Sequence, residues 1–515
     1  MWRALRNLVR LCRSAWILSR YGALEPLANI PQAPALAFAA RFVLLFRDRR
    51  NDRLRPGERL AAALSALGPS FIKFGQSLAT RSDLIGEEQA HDLSRLQDRL
   101  KPFPVAVAKQ TLEEELGRPI DEVFSSFDEK PVAAASIAQV HFAVTTDGEE
   151  VAVKILRPDI EKRFARDLDL FHWIAELLEE HWPWIRRLKP VEVIELFAES
   201  VEMEMDLRME AAAASELAEN FADDPGFRVP LVNWSRTTAR VMTIERVHGT
   251  RIDDLDTLIE KGLEPTEILR RAATAFFNQV FRDGFFHADM HPGNAFVDEQ
   301  GRVVPVDFGI MGRLDQKTRY FLADMLTGFI TGDYRKVAEV HFRAGYVPAH
   351  KSIDAFTQAC RSIGEPLLGR PLHEISVARL LAQLFRITEQ FEMETQPQLL
   401  LLQKTMVVAE GVGRTLNPEV NMWELPRPMI EDWMLEHRGP QARIREATSH
   451  AIALAERLPQ MVETADRVMG SLTEGGVKLH PDTVARFAEE SAKRRRSFWP
   501  VWLALVIAVL ALLFG

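Results

Sequence analysis

The stretch His287-Ala288-Asp289-Met290-His291-Pro292-Gly293-Asn294, followed by Asp307-Phe308-Gly309, holds the residue types and spacing best suited to chemistry. Between the two, Ala295–Val297, a polar turn at Asp298–Gly301 and Arg302–Val306 read as a β-hairpin. A hairpin brings the residue before its first strand beside the residue after its second. Asn294 and Asp307 are therefore expected as neighbours, with Asp289 on the loop feeding the same spot. Two oxygen ligands beside a second carboxylate suit octahedral Mg2+ shared with phosphate oxygens, Asp289 orienting or deprotonating a nucleophile. A transition-metal cluster of His287, Asp289 and His291 is the competing chemistry, but it leaves Pro292–Asn294 and Asp307–Gly309 unexplained. A plain polar loop is the bland alternative.

Phosphoryl transfer also needs a cation on the nucleotide. Val151-Ala152-Val153-Lys154 lies in the second strand of an earlier hairpin over Val132–Leu156, turned at Asp147-Gly148. Alternation puts Val151, Val153 and Ile155 on one face and Ala152, Lys154 and Leu156 on the other. Lysine there is either an edge-strand guard or a buried ammonium in need of an acid. A long helical stretch, Val191–Phe221, supplies acids in excess; Asp206 and Glu210 share one face and repel unless a cation intervenes. Lys154 with Glu210 would lock a small lobe onto a nucleotide. Ahead of the strand no Gly-x-Gly-x-x-Gly occurs. Ala133-Ala134-Ala135-Ser136-Ile137-Ala138-Gln139-Val140 takes its place, and such a loop would cover phosphates in a stiffer geometry; alanines alone more often mean helix. In Pro69–Leu84, a helix carries Phe71, Phe74, Gly75 and Leu78 on one stripe and Lys73, Gln76, Ser77 and Thr80 on the other, which by periodicity alone reads as a surface helix with a wet side.

These motifs sit in a chain of 515 residues, 47% hydrophobic and 27% charged, with net charge −9. That excludes global disorder, and the acidic balance argues against nucleic acid as a partner. Cys12 and Cys360 exclude a disulfide scaffold. Residues 60–120 read as helices, short strands are expected near Val229–Val232 and Ala239–Glu245, Pro265–Gln300 as a helix then a polar loop, and nearly everything beyond Asp315 as helix. Residues 498–515 are uncharged and follow Lys493-Arg494-Arg495-Arg496. At about 27 Å they just suffice for a transmembrane tail anchor with its basic flank in the cytoplasm. The first 20 residues hold five arginines and no acid, with Trp2, Leu5, Leu8, Val9, Cys12 and Trp16 near helical spacing. That helix suits an anionic lipid surface or an ordinary protein face equally.

Lys73-x-Gly75-Gln76, the Ala133–Ser136 loop, Val151–Lys154, Glu204-x-Asp206, His287–Asn294 and Asp307–Gly309 occur in this order, and the set resembles the UbiB family of atypical protein-kinase-like proteins of ubiquinone (coenzyme Q) biosynthesis. The resemblance covers roughly Leu60–Val347. It implies an α+β, kinase-like, two-lobed fold: basic N-terminal helices (1–50), a helical extension with Lys-x-Gly-Gln (60–120), a small mixed N-lobe (121–245), a helical C-lobe (246–475), a basic juxtamembrane helix (477–496) and a transmembrane helix (498–515). Bacterial members often end in two membrane helices, where this chain has room for one.

Residue by residue, the resemblance assigns Lys154 to the α/β-phosphates, Glu210 to its ion pair, Asp289 to the catalytic loop, and Asn294 and Asp307 to Mg2+. It implies that the Lys73 helix covers the entry of a protein substrate, with Lys73 meeting Glu204 or Asp206. ATP and Mg2+ are then the cofactors. Membrane lipid, prenylated quinone precursors, other enzymes of that pathway and a second copy of the chain are candidate partners, at the inner face of a bacterial cytoplasmic membrane. The implied activity is ATP turnover coupled to lipid, supporting hydroxylation and related steps on quinone precursors. The alternatives are a small-molecule kinase of the aminoglycoside or choline type, or a nucleotide-gated lipid-binding scaffold.

Overall fold

A computed structural model describes residues 2–26, 28, 34–79, 87–94, 96, 100–181, 186, 189–366, 383, 386–388, 390–393, 396–419 and 427–438. The chain divides into a unit of Met1–Trp433, described below, and a second unit of Met434–Gly515 that lies almost wholly outside the described residues. The expected linker at Gly475-Gly476, the basic helix 477–496 and the span 498–515 fall there. Among the described residues, no helix is long and apolar enough to cross a membrane.

In the small lobe, the Asp147-Gly148 turn joins β3 (Ala138–Thr145) to β4 (Glu150–Leu156). Gly148 sits at φ +88°, left-handed backbone that costs glycine nothing. With β1 (Phe124–Phe127), β2 (Ala133–Ala134) and β5 (Val241–Glu245), these strands form one antiparallel five-stranded sheet ordered β1-β3-β4-β5, β2 pairing with β3. The alternation holds: Val151, Val153 and Ile155 are buried against Phe103, Leu112 and Val123, and Lys154 looks the other way.

The segment Val191–Phe221 is not one helix but two, α8 (Pro190–Glu204) and α9 (Leu207–Asn220). At the break, Asp206 is extended (φ −109°, ψ 95°) and its carboxylate accepts the Arg208 N–H. An Asp that caps a new helix competes with continuation of the old one. The Leu207 N–H goes to Ala239 O at 2.9 Å, pinning the break beside the sheet. Of the two short strands expected next, Val241–Glu245 pairs fully with β4, whereas Val229–Val232 makes only a single bridge, Val232 to Ile244.

In the large lobe, α11 (Pro265–Phe277) runs into a π-turn at Asn278–Asp283. The polar loop expected next contains a strand, β7 (Phe285–His287), paired with β10 (Met311–Arg313). Its partner lies beyond the intervening hairpin, which hides the pairing from a local reading. That hairpin, β8 (Ala295–Val297) and β9 (Val303–Pro305), is as expected. Helices α12 (Gln316–Thr331), α13 (Tyr334–Ala344), α14 (Ile353–Gly364), α15 (Pro397–Leu416) and α16 (Arg427–Arg438) follow. Val412 and Leu416 of α15 join the cluster of buried side chains that also holds Phe308, Leu156 and Leu207.

The N-terminal helix α1 (Trp2–Arg20) is turned inside out. Its polar side is the docked one: Asn7 and Ser19 are fully buried, and Arg3, Arg6 and Asn7 bond to Asp169 at 2.7, 3.0 and 3.1 Å. Leu5, Leu8, Val9, Cys12 and Trp16 are exposed. So are Phe38 and Phe42 on α2 (Pro34–Leu44) and Phe46 just after it, the last ring 5.0 Å from Trp16.

Candidate active site

The cleft between sheet and hairpin gathers residues from distant parts of the chain. Lys154, at mid-strand opposite Val140 and Met242, reaches into it from β4. Its Nζ donates to both oxygens of Glu210 on α9, at 2.6 and 2.8 Å, and lies 3.4 Å from Asp307 Oδ1. Lys154 is 18% and Glu210 9% exposed, so both charges are largely out of water. Burial works against the ammonium, yet Asp307 and Glu210 outweigh it and hold it above the ordinary lysine range. Glu210 is pushed up, by burial first, with Lys154 pulling the other way. Asp307 is held well below the usual carboxylate range: burial opposes this, but Lys154 and the Gly309 N–H, which donates to Oδ1 at 3.1 Å, prevail.

The hairpin geometry brings Asn294 and Asp307 to one place, the Val306 N–H donating to Asn294 O at 3.0 Å. Asn294 gives its amide to Asp289 O at 3.3 Å, which leaves its Oδ1 as the acceptor. An amide oxygen and a carboxylate 44% exposed and kept ionised are the hard donors Mg2+ takes, so these residues fit it. The transition-metal reading fails. His287 Nδ1 accepts the Asp289 N–H at 3.1 Å and its Nε2 is bonded to Asp307 O, so both ring nitrogens hold backbone. Burial keeps that ring neutral, and His291 Nδ1 accepts the Gly293 N–H. Among the described residues no group of three or more His, Cys, Asp or Glu could hold a metal ion. A buried Gln279, presented by the π-turn, takes the His287 N–H at 2.8 Å and fixes the strand that feeds the loop.

The alanine loop is a tight hairpin, not a helix: Ala133 and Ala134 pair with Val140 and Gln139. Ala133, Ala134, Ala135, Ile137, Ala138 and Val140 line the cleft. Ser136 and Gln139 do not. Both are buried, and Gln139 Oε1 accepts the Phe103 N–H at 3.0 Å, joining the hairpin to the core.

Helix α4 (Pro69–Ala79) is not a wet surface helix. Phe71 meets Phe171 edge-on and Phe74 stacks on it, with ring centroids 5.0 and 4.9 Å apart, and Lys73 Nζ meets Glu204 Oε2 at 2.8 Å, with both side chains mostly covered. Asp206 is spent on Arg208 instead, at 2.7 and 2.9 Å. Gly75 faces the helix α3 (Pro56–Leu67): a Cβ there would stand 2.6 Å from Leu96 Cδ1 and 2.7 Å from Leu64 Cδ1, so a larger residue would have to push both leucine side chains aside. Gln76 Nε2 donates to Leu96 O at 3.4 Å. Lys73 and Gln76 line the cleft; Gly75 and Asp206 do not.

One cleft residue was missed. Lys404, on α15, bonds Asp289 Oδ1 at 2.8 Å. The only local signal was Leu401, Lys404, Val407 and Val408 on one helical face.

Residues 95–341 match the ABC1 atypical kinase-like domain and residues 360–421 the UbiB helical domain. A relative from Marinobacter nauticus named "Probable protein kinase UbiB" is 39% identical over 516 residues, 99% of this chain and 94% of the relative. The chain belongs to the UbiB family. Other UbiB proteins agree: one from Aliivibrio fischeri is 43% identical over 82% of this chain and 78% of its own, and one from Pseudomonas aeruginosa 37% over 99% of both. A solved structure titled as the complex of Rv3197 with erythromycin, from Mycobacterium tuberculosis, superposes with a TM-score of 0.51 at 26% identity, covering 68% of this chain and 90% of that one. Within this UbiB chain, the bond from Lys404 to Asp289 is one of the contacts that join the two matched domains.

Proposed function

We propose that the protein is a membrane-attached atypical kinase or ATPase that binds ATP with Mg2+ and promotes ubiquinone biosynthesis, acting on hydroxylation and related steps of prenylated quinone precursors. The observation that carries the reading is the convergence of Lys154, Glu210 and Asp307 beside the loop bearing Asp289. Lys154, oriented by Glu210, neutralises α/β-phosphate charge. The alanine hairpin lies over the phosphates with less freedom than glycines would give. Asn294 and Asp307 are the residues that would hold Mg2+, which would supply charge stabilisation to the phosphates. Asp289 orients the acceptor and takes its proton. Helix α4, stapled by Lys73–Glu204, covers the side where a large acceptor would approach, which favours water or a lipid over a folded protein.

Membrane attachment is supported by the outward apolar face of α1 and α2. The expected anchor at 498–515 would add to it. The test is quinone profiling of a deletion strain rescued with the wild type or Asp289→Asn. The reading expects early prenylphenol precursors to accumulate with the variant; a normal quinone profile overturns it.

A further inference from the structure

Phosphoryl transfer concentrates negative charge on the transferring group, and catalysis rests on cations placed where that charge develops. In the cleft, Lys154 is committed to Glu210 and Asp307, at the nucleotide end. Lys73 is held by Glu204. Lys404 differs in place and origin. It comes from the helical domain, on a face of α15 with Leu401, Val407 and Val408 that also lines the cleft. Its neighbour Thr405 is buried, which fixes the helix's rotation. The ammonium lies 2.8 Å from the carboxylate of Asp289, and both side chains remain partly open, at 38% and 28%. A group one hydrogen bond from the residue that aligns the acceptor is also within reach of the γ-phosphoryl group that the acceptor attacks.

We propose that Lys404 is a catalytic cation lent by the helical domain: it binds the γ-phosphoryl oxygens of ATP and, in the empty cleft, holds Asp289 in place. This rests on the reading of the cleft as an ATP site. In the step, the acceptor oxygen bonds to Pγ as the bond from Pγ to the β,γ-bridging oxygen breaks. The acceptor proton passes to Asp289 and ADP leaves with the electron pair. Lys404 takes no part in the proton transfer and exchanges Asp289 for phosphoryl oxygens as charge builds. The helical domain is then part of the active site.

Binding of ADP and of a non-hydrolysable ATP analogue, each with Mg2+, to the full-length protein separates the possibilities. Lys404→Met is expected to weaken the analogue about tenfold, the scale of one charge-assisted hydrogen bond, and to leave ADP within twofold. The same selective loss is expected in an Asp289→Asn background, and Lys404→Arg restores most of it. ADP binding also reports that each variant is folded. If analogue and ADP weaken together, if neither changes, or if the effect vanishes in Asp289→Asn, Lys404 does not touch the γ-phosphoryl group and the inference falls. If the wild type binds neither nucleotide, the ATP reading itself falls.

Discussion

Replacing Lys154 with Met should destabilise the protein far more than replacing Glu210 with Gln, although each removes one half of the same ion pair. The bond is bidentate, at 2.6 and 2.8 Å, and largely shielded from water. In Lys154→Met, Glu210 is left buried with a second carboxylate, Asp307, close by and no cation between them; breaking a buried pair in this way costs about 3–5 kcal/mol. In Glu210→Gln, the ammonium keeps Asp307 at 3.4 Å and the amide oxygen still accepts, so the loss should be about 1–2 kcal/mol. The double variant removes both charges and should lie near Glu210→Gln, giving a coupling about as large as the Lys154→Met loss itself, about 3–5 kcal/mol. The asymmetry also has a pH signature. Burial already raises the Glu210 pKa against the pull of Lys154, and losing Lys154 raises it further. Above the ordinary value of 4.5, the native state then keeps a proton that the unfolded state has released. Stability of Lys154→Met should therefore fall as pH rises, by up to about 1.4 kcal/mol per unit until the raised pKa is passed. Urea denaturation from pH 5 to 8 measures all of this. Equal losses in the two single variants, or a double variant costing their sum, would refute the argument.

Ala133→Gly or Ala134→Gly should weaken the β2–β3 hairpin by about 0.5–1 kcal/mol and shift the ratio of ATP to ADP affinity, measured by calorimetry; an unchanged ratio would remove the alanines from nucleotide control. Leu8→Glu with Phe42→Glu should reduce binding to vesicles of anionic phospholipid tenfold or more, because each loses about 1.5–3 kcal/mol of apolar burial, while the melting temperature stays put since both side chains are exposed. Of the two thiols, exposed Cys12 should react with a maleimide at pH 7.5, whereas Cys360, buried and pushed up to about 12, should react only on unfolding, as peptide mass spectrometry would show.

The hairpin half of the cleft was legible because its residues are set by local spacing. Asp289, Asn294 and Asp307 lie around one short hairpin, and the strand period alone turned Lys154 away from Val153 and Ile155. Helix ends were less legible. Asp206 reads as an acid sharing a face with Glu210 on a continuous helical stretch, and only its cap on Arg208 shows why the helix stops there. Gly75 read as part of an apolar stripe, but its reason is the approach of Leu64 from α3 and of Leu96 from a distant loop. Lys404 was out of reach: it acts on a residue 115 positions away through tertiary packing, which no local period encodes. For α1 the period found the apolar stripe, and only the anchoring of its polar side on Asp169 shows that the stripe faces outward.

The most direct test of the central claim is Mg2+-dependent ATP hydrolysis by the full-length protein compared with Asp307→Asn. Loss of activity in a variant that unfolds at the wild-type denaturant concentration is expected, since Asp307 joins the Lys154 pair to the Asn294 hairpin. Hydrolysis that continues unchanged in Asp307→Asn would contradict the site.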